Sequence, residues 1–309
     1  MAHILRCACA WLTMPAAAAL LLAATALPVL AETLKDWHCT GNRDIPWDEQ
    51  IVGCTKALKS GRLSGPAAAA ALYDRAIAYQ NKGDNASAIA DYNQAITIDP
   101  KFALAYNNRG NVHQASGDYD RAIADFDQAI AIDPKFVNAY NNRGNAYKAK
   151  GDYVRAIADY DQAIALDPKF AFAYYDRGIA YQAKGDNDRA IADYDQVIAL
   201  DPRFVDAYNN RGNAYKTKGD NDRAIADYNQ AIVLDAKFAF AYNNRGNAYK
   251  AKGENDGAIT DYDQAIALDP KYATAYDNRG IAYKARGDYD RATADHNEAV
   301  RLDPKLGPK

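Results

Sequence analysis

Histidine is scarce in this chain, at 4 of 309 residues, and there are only 4 cysteines. No His, Cys, Asp or Glu cluster has metal-ligand spacing. There is no glycine-rich phosphate loop, and no nucleophile stands in a recognisable constellation with a base. These absences weigh against an enzyme, and no cofactor or metal is expected. An excess of positive charge is also missing. The formal net charge is −3, which argues against a general nucleic-acid or anionic-membrane partner. Beyond the N-terminal segment no apolar run is long enough to cross a bilayer, so no stable membrane insertion is expected.

The N-terminal segment reads as a targeting signal. Arg6 supplies a short positive region, and 16–27 (AAAALLLAATAL) is a compact apolar run. Val29 and Ala31 then offer small residues at the cleavage-determining places, so cleavage is expected near Ala31, giving a periplasmic or secreted protein. Cys7 and Cys9 would leave with residues 1–31. The remaining cysteines, Cys39 and Cys54, most simply form one disulfide in an exported protein. Closing that loop stabilises by about 3 kcal/mol in the chain-entropy view. A metal site built on His38, Cys39 and Cys54 lacks a fourth ligand.

What the sequence has in abundance is periodicity. Asp-Pro recurs at 99–100, 133–134, 167–168, 201–202, 269–270 and 303–304, with Asp235-Ala236 in register but lacking the proline. Arg-Gly follows the same period at 109, 143, 177, 211, 245 and 279. Seven units follow: 69–102, 103–136, 137–170, 171–204, 205–238, 239–272 and 273–306. In 137–170, helix one is expected over roughly 137–150, with Ala139, Tyr140, Gly144 and Tyr147 on one face. Gly151 ends it in a left-handed conformation, and Asp152 caps the next helix. Helix two is expected over 153–166, with Ala156, Ile157, Tyr160, Ala163 and Ile164 as its apolar stripe. Asp167-Pro168 stops it. One such hairpin cannot bury its own stripe, but stacked hairpins can.

The period, with Tyr140, Arg143, Gly144, Tyr147, Ala156, Tyr160 and Pro168 as its marks, resembles the tetratricopeptide repeat. The resemblance covers about 69–306 and departs from the family by placing arginine, as at Arg143, where leucine is usual. It implies an all-α, right-handed α-solenoid of seven helix-turn-helix units, whose first helices line a concave groove. It also implies a non-catalytic scaffold holding a protein or peptide.

Each arginine has an aspartate sixteen residues on: Arg75 and Asp91, Arg109 and Asp125, Arg143 and Asp159, Arg177 and Asp193, Arg211 and Asp227, Arg245 and Asp261, Arg279 and Asp295. A planar guanidinium suits a carboxylate, so a bridge is expected either within each hairpin or between neighbours.

Asparagines recur in pairs four apart: Asn107 and Asn111, Asn141 and Asn145, Asn209 and Asn213, Asn243 and Asn247. Asparagine is a poor helix former, and the resemblance places these pairs in the groove. A ladder of amides there could both donate to and accept from an extended backbone. Every third unit breaks the ladder, with Tyr73 and Ile77, Tyr175 and Ile179, and Asp277 and Ile281 in these places. Tyr175 and Ile179 are expected as a central apolar contact. Lys148, Lys216, Lys250 and Lys284 could add positive charge suited to an acidic or C-terminal carboxylate ligand.

The ends differ from the middle. Residues 47–58 match 153–164 in outline, so 45–60 reads as the second helix of a degenerate unit. It falls within an N-terminal cap over 32–68, stapled by Cys39–Cys54. Thr293 and His296 soften the last stripe, as suits an exposed end, and 307–309 is a tail. Two alternatives to the scaffold stand: a self-assembling solenoid, and an enzyme accessory subunit.

Overall fold

The computed structural model describes residues 37–40 and 44–307. The targeting segment and its cleavage near Ala31 lie outside the described residues. The chain divides into two compact units, 1–150 and 151–309. Among the described residues all regular structure is helical. Unit one holds α1 (Trp47–Lys59), α2 (Pro66–Asn81), α3 (Asn85–Ile98), α4 (Ala103–Ala115), α5 (Tyr119–Ile132) and α6 (Val137–Ala149). Unit two holds α7 (Tyr153–Leu166), α8 (Ala171–Ala183), α9 (Asn187–Leu200), α10 (Val205–Thr217) and α11 (Asn221–Leu234). It continues with α12 (Ala239–Ala251), α13 (Asn255–Leu268), α14 (Ala273–Ala285), α15 (Tyr289–Leu302) and a single 3-10 turn, Pro304–Leu306.

Within each unit every helix packs on its sequence neighbours, so hairpins stack in line. The hairpin turn follows from two residues. Gly219 ends α10 with φ +83, a left-handed conformation that side chains resist. Asp220 then accepts the backbone N–H of Arg223 and caps α11. The same cap opens α3, α5, α7, α9 and α15. Glu254, one methylene longer, makes no side-chain cap on α13. At the other end Asp235 adopts an extended conformation and accepts the N–H of Lys237, as Asp269 does from Lys271. Asp235 is followed by alanine, so the aspartate makes this turn without the proline.

The core is alanine and aromatic. Tyr194, Tyr228 and Tyr262 are fully buried, as is Phe126 in unit one. A methyl group added at Gly212 would lie 2.7 Å from the Tyr228 ring, and Gly178 and Gly246 stand equally close to Tyr194 and Tyr262. Glycine beside arginine is therefore a packing requirement: it lets the first helix lie against the ring of the second.

At the N-terminal end, Cys39 and Cys54 form the disulfide and are fully buried with Ala71. Trp37 and Leu58 pack beside them. At the C-terminal end, Thr293 and His296 are exposed. His296 lies 3.3 Å from Asp277.

Candidate functional site

The arginines organise the first helices. In unit two, Nε and Nη2 of Arg211 donate to both oxygens of Asp227, at 2.9 and 2.7 Å. Arg177 with Asp193, Arg245 with Asp261, and Arg279 with Asp295 repeat this fork. In unit one it joins Arg75 to Asp91 and Arg109 to Asp125. Arg143 belongs to unit one and Asp159 to unit two, so that pair stands as an expectation.

The remaining nitrogen, Nη1, reaches back to the preceding second helix. Arg211 donates to Asp195 at 2.5 Å, Arg245 to Asn229 at 2.6 Å and Arg279 to Asp263 at 2.6 Å. In unit one Arg109 reaches Asn93, Arg143 reaches Asp127, and Arg75 reaches Thr55 on α1. The expectation offered a bond within the hairpin or one between neighbours, and the guanidinium makes both. From Arg109 onward each arginine also sits over the tyrosine three residues earlier, Arg211 at 5.6 Å from the Tyr208 ring. The bonds to Asp227 hold Arg211 above its usual range, whereas burial lifts Asp227. A half-buried pair of this kind fixes register more than it adds net stability.

The asparagines separate into two rows. Asn107, Asn141, Asn209 and Asn243 are buried. In unit two Asn278 Nδ2 donates to Asn243 Oδ1 at 3.0 Å, and Asn243 Nδ2 donates to Asn244 Oδ1 at 3.4 Å. Asn244 then donates to Asn209, Asn209 to Asn210, and Asn210 to the hydroxyl of Tyr175. Unit one carries a shorter spine: Asn142 to Asn107, Asn107 to Asn108, Asn108 to the hydroxyl of Tyr73. This corrects the expectation of a groove-facing pair. Asn107, Asn209 and Asn243 bond neighbouring first helices to one another, because a buried amide must be satisfied inside the protein. Asn141 is fully buried as well. Tyr175 is likewise a packed residue, 4.9 Å from the Phe204 ring, and half-buried Ile179 packs in the same cluster.

Sequence reasoning missed the partners of the spine, Asn108, Asn142, Asn210, Asn244 and Asn278. Their signal was present: they recur immediately before each arginine, where Asp74 and Asp176 stand in the units that carry Tyr73 and Tyr175.

The second row, Asn111, Asn145, Asn213 and Asn247, is half-exposed. Two of its members serve a buried hydroxyl. Tyr228 donates to Asn213 Oδ1 at 2.8 Å, and Tyr262 to Asn247 Oδ1 at 2.9 Å. In two of the three units where isoleucine replaces the asparagine, glutamine three residues on accepts instead: Tyr92 donates to Gln80 and Tyr194 to Gln182. In 103–136 the aromatic is Phe126, which has no hydroxyl, and Gln114 Oε1 is buried without a partner. Each of these oxygens accepts a buried hydroxyl, which fixes the orientation of the amide.

Lys216 and Lys250 share that face, three residues beyond Asn213 and Asn247. Both are half-buried. Burial depresses both, and Lys216 lowers Lys250 further. No group of three His, Cys, Asp or Glu side chains that could hold a metal occurs among the described residues. None of their helices is long and apolar enough to cross a membrane.

The family described as TPR repeat matches residues 78–117, 115–151, 144–185, 180–219, 212–253 and 246–285, and a second tetratricopeptide repeat description matches 273–302. Among curated proteins none matches. A tetratricopeptide repeat protein from Parabacteroides merdae is similar in structure, with TM-score 0.63 and 22% identity over 76% of this chain and 95% of that one. PilW, a type IV pilus biogenesis factor, has TM-score 0.62 and 23% identity over 67% of this chain and 96% of its own. YrrB, a TPR protein with an unusual peptide-binding site, has TM-score 0.50 and 23% identity over 60% of this chain and 95% of its own. At these identities the likeness shows the fold alone. The stacked hairpins, their periodic glycines and aromatics, and family matches running from 78 to 302 converge: this chain belongs to the tetratricopeptide repeat family, whose members serve as protein–protein interaction scaffolds.

Proposed function

We propose that this protein is an exported, non-catalytic scaffold that holds an extended segment of a partner protein against its first helices. On this reading the signal over 1–31 is removed, 32–68 caps the array, and the seven units over 69–306 form it. The half-exposed second row of asparagines carries the proposal. Asn213 and Asn247 have their oxygens fixed by Tyr228 and Tyr262 and keep their N–H groups free to meet backbone carbonyls. Asn111 and Asn145 present the same face in unit one. The first row supports this face from behind and is not part of the contact. End-to-end assembly is the weaker reading, since exposed Thr293 and His296 make the last helix polar.

The test is capture of partners from an envelope extract by the tagged protein and by a variant carrying Asn213→Ala and Asn247→Ala. Specific partners should be lost from the variant at a temperature where both proteins are fully folded, with its helicity there equal to the parent's. Equal capture by a folded variant would refute the role given to this row.

A further inference from the structure

The second helices open on a shared three-part grip. In unit two the guanidinium of Arg189 bonds the capping carboxylate of Asp186 and lies 4.3 Å from the centre of the Tyr181 ring. Arg223 does the same with Asp220 and Tyr215, and Arg291 with Asp288 and Tyr283, both 4.5 Å from the ring. Arg121 and Arg155 stand in this register too, bonded to Asp118 and Asp152. In unit one Ser87 takes the place of arginine at the first hairpin, and its hydroxyl and backbone N–H engage the Asp84 carboxylate. Residue 257 is the exception in unit two, where glycine stands in the arginine position.

At Gly257 the other two parts of the grip remain. A methyl group added there would lie 3.5 Å from the Tyr249 ring, at ordinary contact distance, so the absent side chain leaves room over the ring. Tyr249 is half-exposed. Glu254 replaces the aspartate and makes no cap on α13, so its carboxylate is not tied to the helix backbone. Among the described residues its one side-chain partner is Lys252, at 3.0 Å, which also holds Asp222 at 2.8 Å.

The charges point the same way. On the preceding hairpin Lys218 pairs with Asp188 and Arg223 with Asp220, and on the following one Arg286 pairs with Asp256 and Arg291 with Asp288. On the hairpin between them Lys252 serves Asp222 and Glu254 together, and these two bonds hold it above its usual range. One negative charge is left over beside an aromatic ring that has lost its arginine. The face of such a ring attracts cations. A planar guanidinium can lie on the ring and bond a carboxylate at once, which an ammonium does less well.

We propose that Glu254, Tyr249 and the space over Gly257 form a seat for an arginine side chain of a partner protein. Arg189, Arg223 and Arg291 show the occupied form of the same seat, filled from within the chain. The seat lies at the hairpin turn of 239–272 and stands or falls separately from the open asparagine row.

The experiment titrates the full chain, labelled with nitrogen-15, with the peptide acetyl-Gly-Arg-Gly-amide and follows the amide signals of Gly257 and Tyr249. The matching lysine and citrulline peptides are the comparisons. The arginine peptide should shift these signals saturably, bind more tightly than either comparison and weaken with salt. Glu254→Gln should weaken it about threefold or more. Gly257→Arg fills the seat from within, so it should abolish the response and slow hydrogen exchange at the start of α13. Arg223→Gly empties the equivalent seat and should bring the same response to Tyr215. Equal binding of either comparison peptide, or an unchanged response in folded Gly257→Arg protein, would overturn the inference. Slower exchange in Gly257→Arg with no response of the parent to the arginine peptide would mean that the seat takes only the chain's own side chain, which also overturns it. Shifts confined to Asn213 and Asn247 would overturn it and leave the segment-binding face standing.

Discussion

Asn209 and Asn213 lie four residues apart on α10, yet the first is buried and the second half-exposed. The same division holds for Asn243 and Asn247 on α12. A helix of 3.6 residues per turn places such pairs on one stripe. The stripe, however, is wider than the strip of surface that a neighbouring helix covers. The first residue falls under the next first helix and must find partners there. The second falls beyond its edge, where one side of the amide meets a tyrosine and the other meets solvent. Residue type thus says that a polar group must be satisfied, and position decides by whom.

The arginine forks set the largest expected contrast between the buried and open rows. Arg245→Ala leaves Asp261 buried without its partner and is expected to destabilise by about 3–5 kcal/mol. Because the array is repetitive, hydrogen exchange localised to α12 and α13 is a better readout than a single melting midpoint. A double-mutant cycle with Asp261→Ala should be strongly non-additive. Additive losses would mean that the fork carries no coupling.

Asn243→Ala comes next. It orphans the donor of Asn278 and the acceptor of Asn244, at about 1–3 kcal/mol for each group. Asn247→Ala in the open row removes only the acceptor for Tyr262, so its effect on chemical denaturation should fall near the lower end of that range. Equal losses at the two positions would erase the distinction between the rows.

A gain is expected at Phe126. Phe126→Tyr supplies a hydroxyl in the register of Tyr228 and Tyr194, where Asn111 or the unpartnered Gln114 Oε1 can accept, and one hydrogen bond contributes about 0.5–1.5 kcal/mol. Tyr228→Phe should lose a similar amount by leaving Asn213 without its donor. No stabilisation from Phe126→Tyr would count against the swap between asparagine and glutamine as acceptors.

The smallest effect concerns acid. The Arg223 backbone N–H and side chain hold Asp220 below the usual carboxylate range, and bonds from the Arg291 side chain and backbone do the same for Asp288. A folded-state value below the unfolded one gives a contribution that is present above about pH 4. It is lost as pH falls through the lowered folded value. Hydrogen exchange at the start of α11 should therefore quicken on acidification more than at the start of α13, where Glu254 makes no cap. Identical pH dependence at the two starts would contradict this role for the aspartates.

Much of this was legible in the sequence because repetition averages away local accidents. The helix bounds over 137–149 and 153–166, the glycine turn and the aspartate cap follow from residue chemistry at fixed offsets. Spacing also pointed to the arginine–aspartate fork, but not to Nη1, whose partner lies on the preceding second helix. The two asparagine rows were read as one because a four-residue spacing fixes a helix face and not what lies above it. The tyrosine hydroxyl was the missing constraint. Asking which side chain could accept its proton would have set Asn213 apart from Asn209 and picked out Gln182 where Ile179 stands.

The most direct test compares the two rows in one experiment, at a temperature where every variant is fully folded. Denaturation and partner capture are measured for Asn209→Ala with Asn243→Ala, and for Asn213→Ala with Asn247→Ala. The buried-row variant should unfold the more easily of the two and still capture, and the open-row variant should lose less stability and fail to capture. Capture that persists in the open-row variant and disappears in the buried-row one would contradict the account.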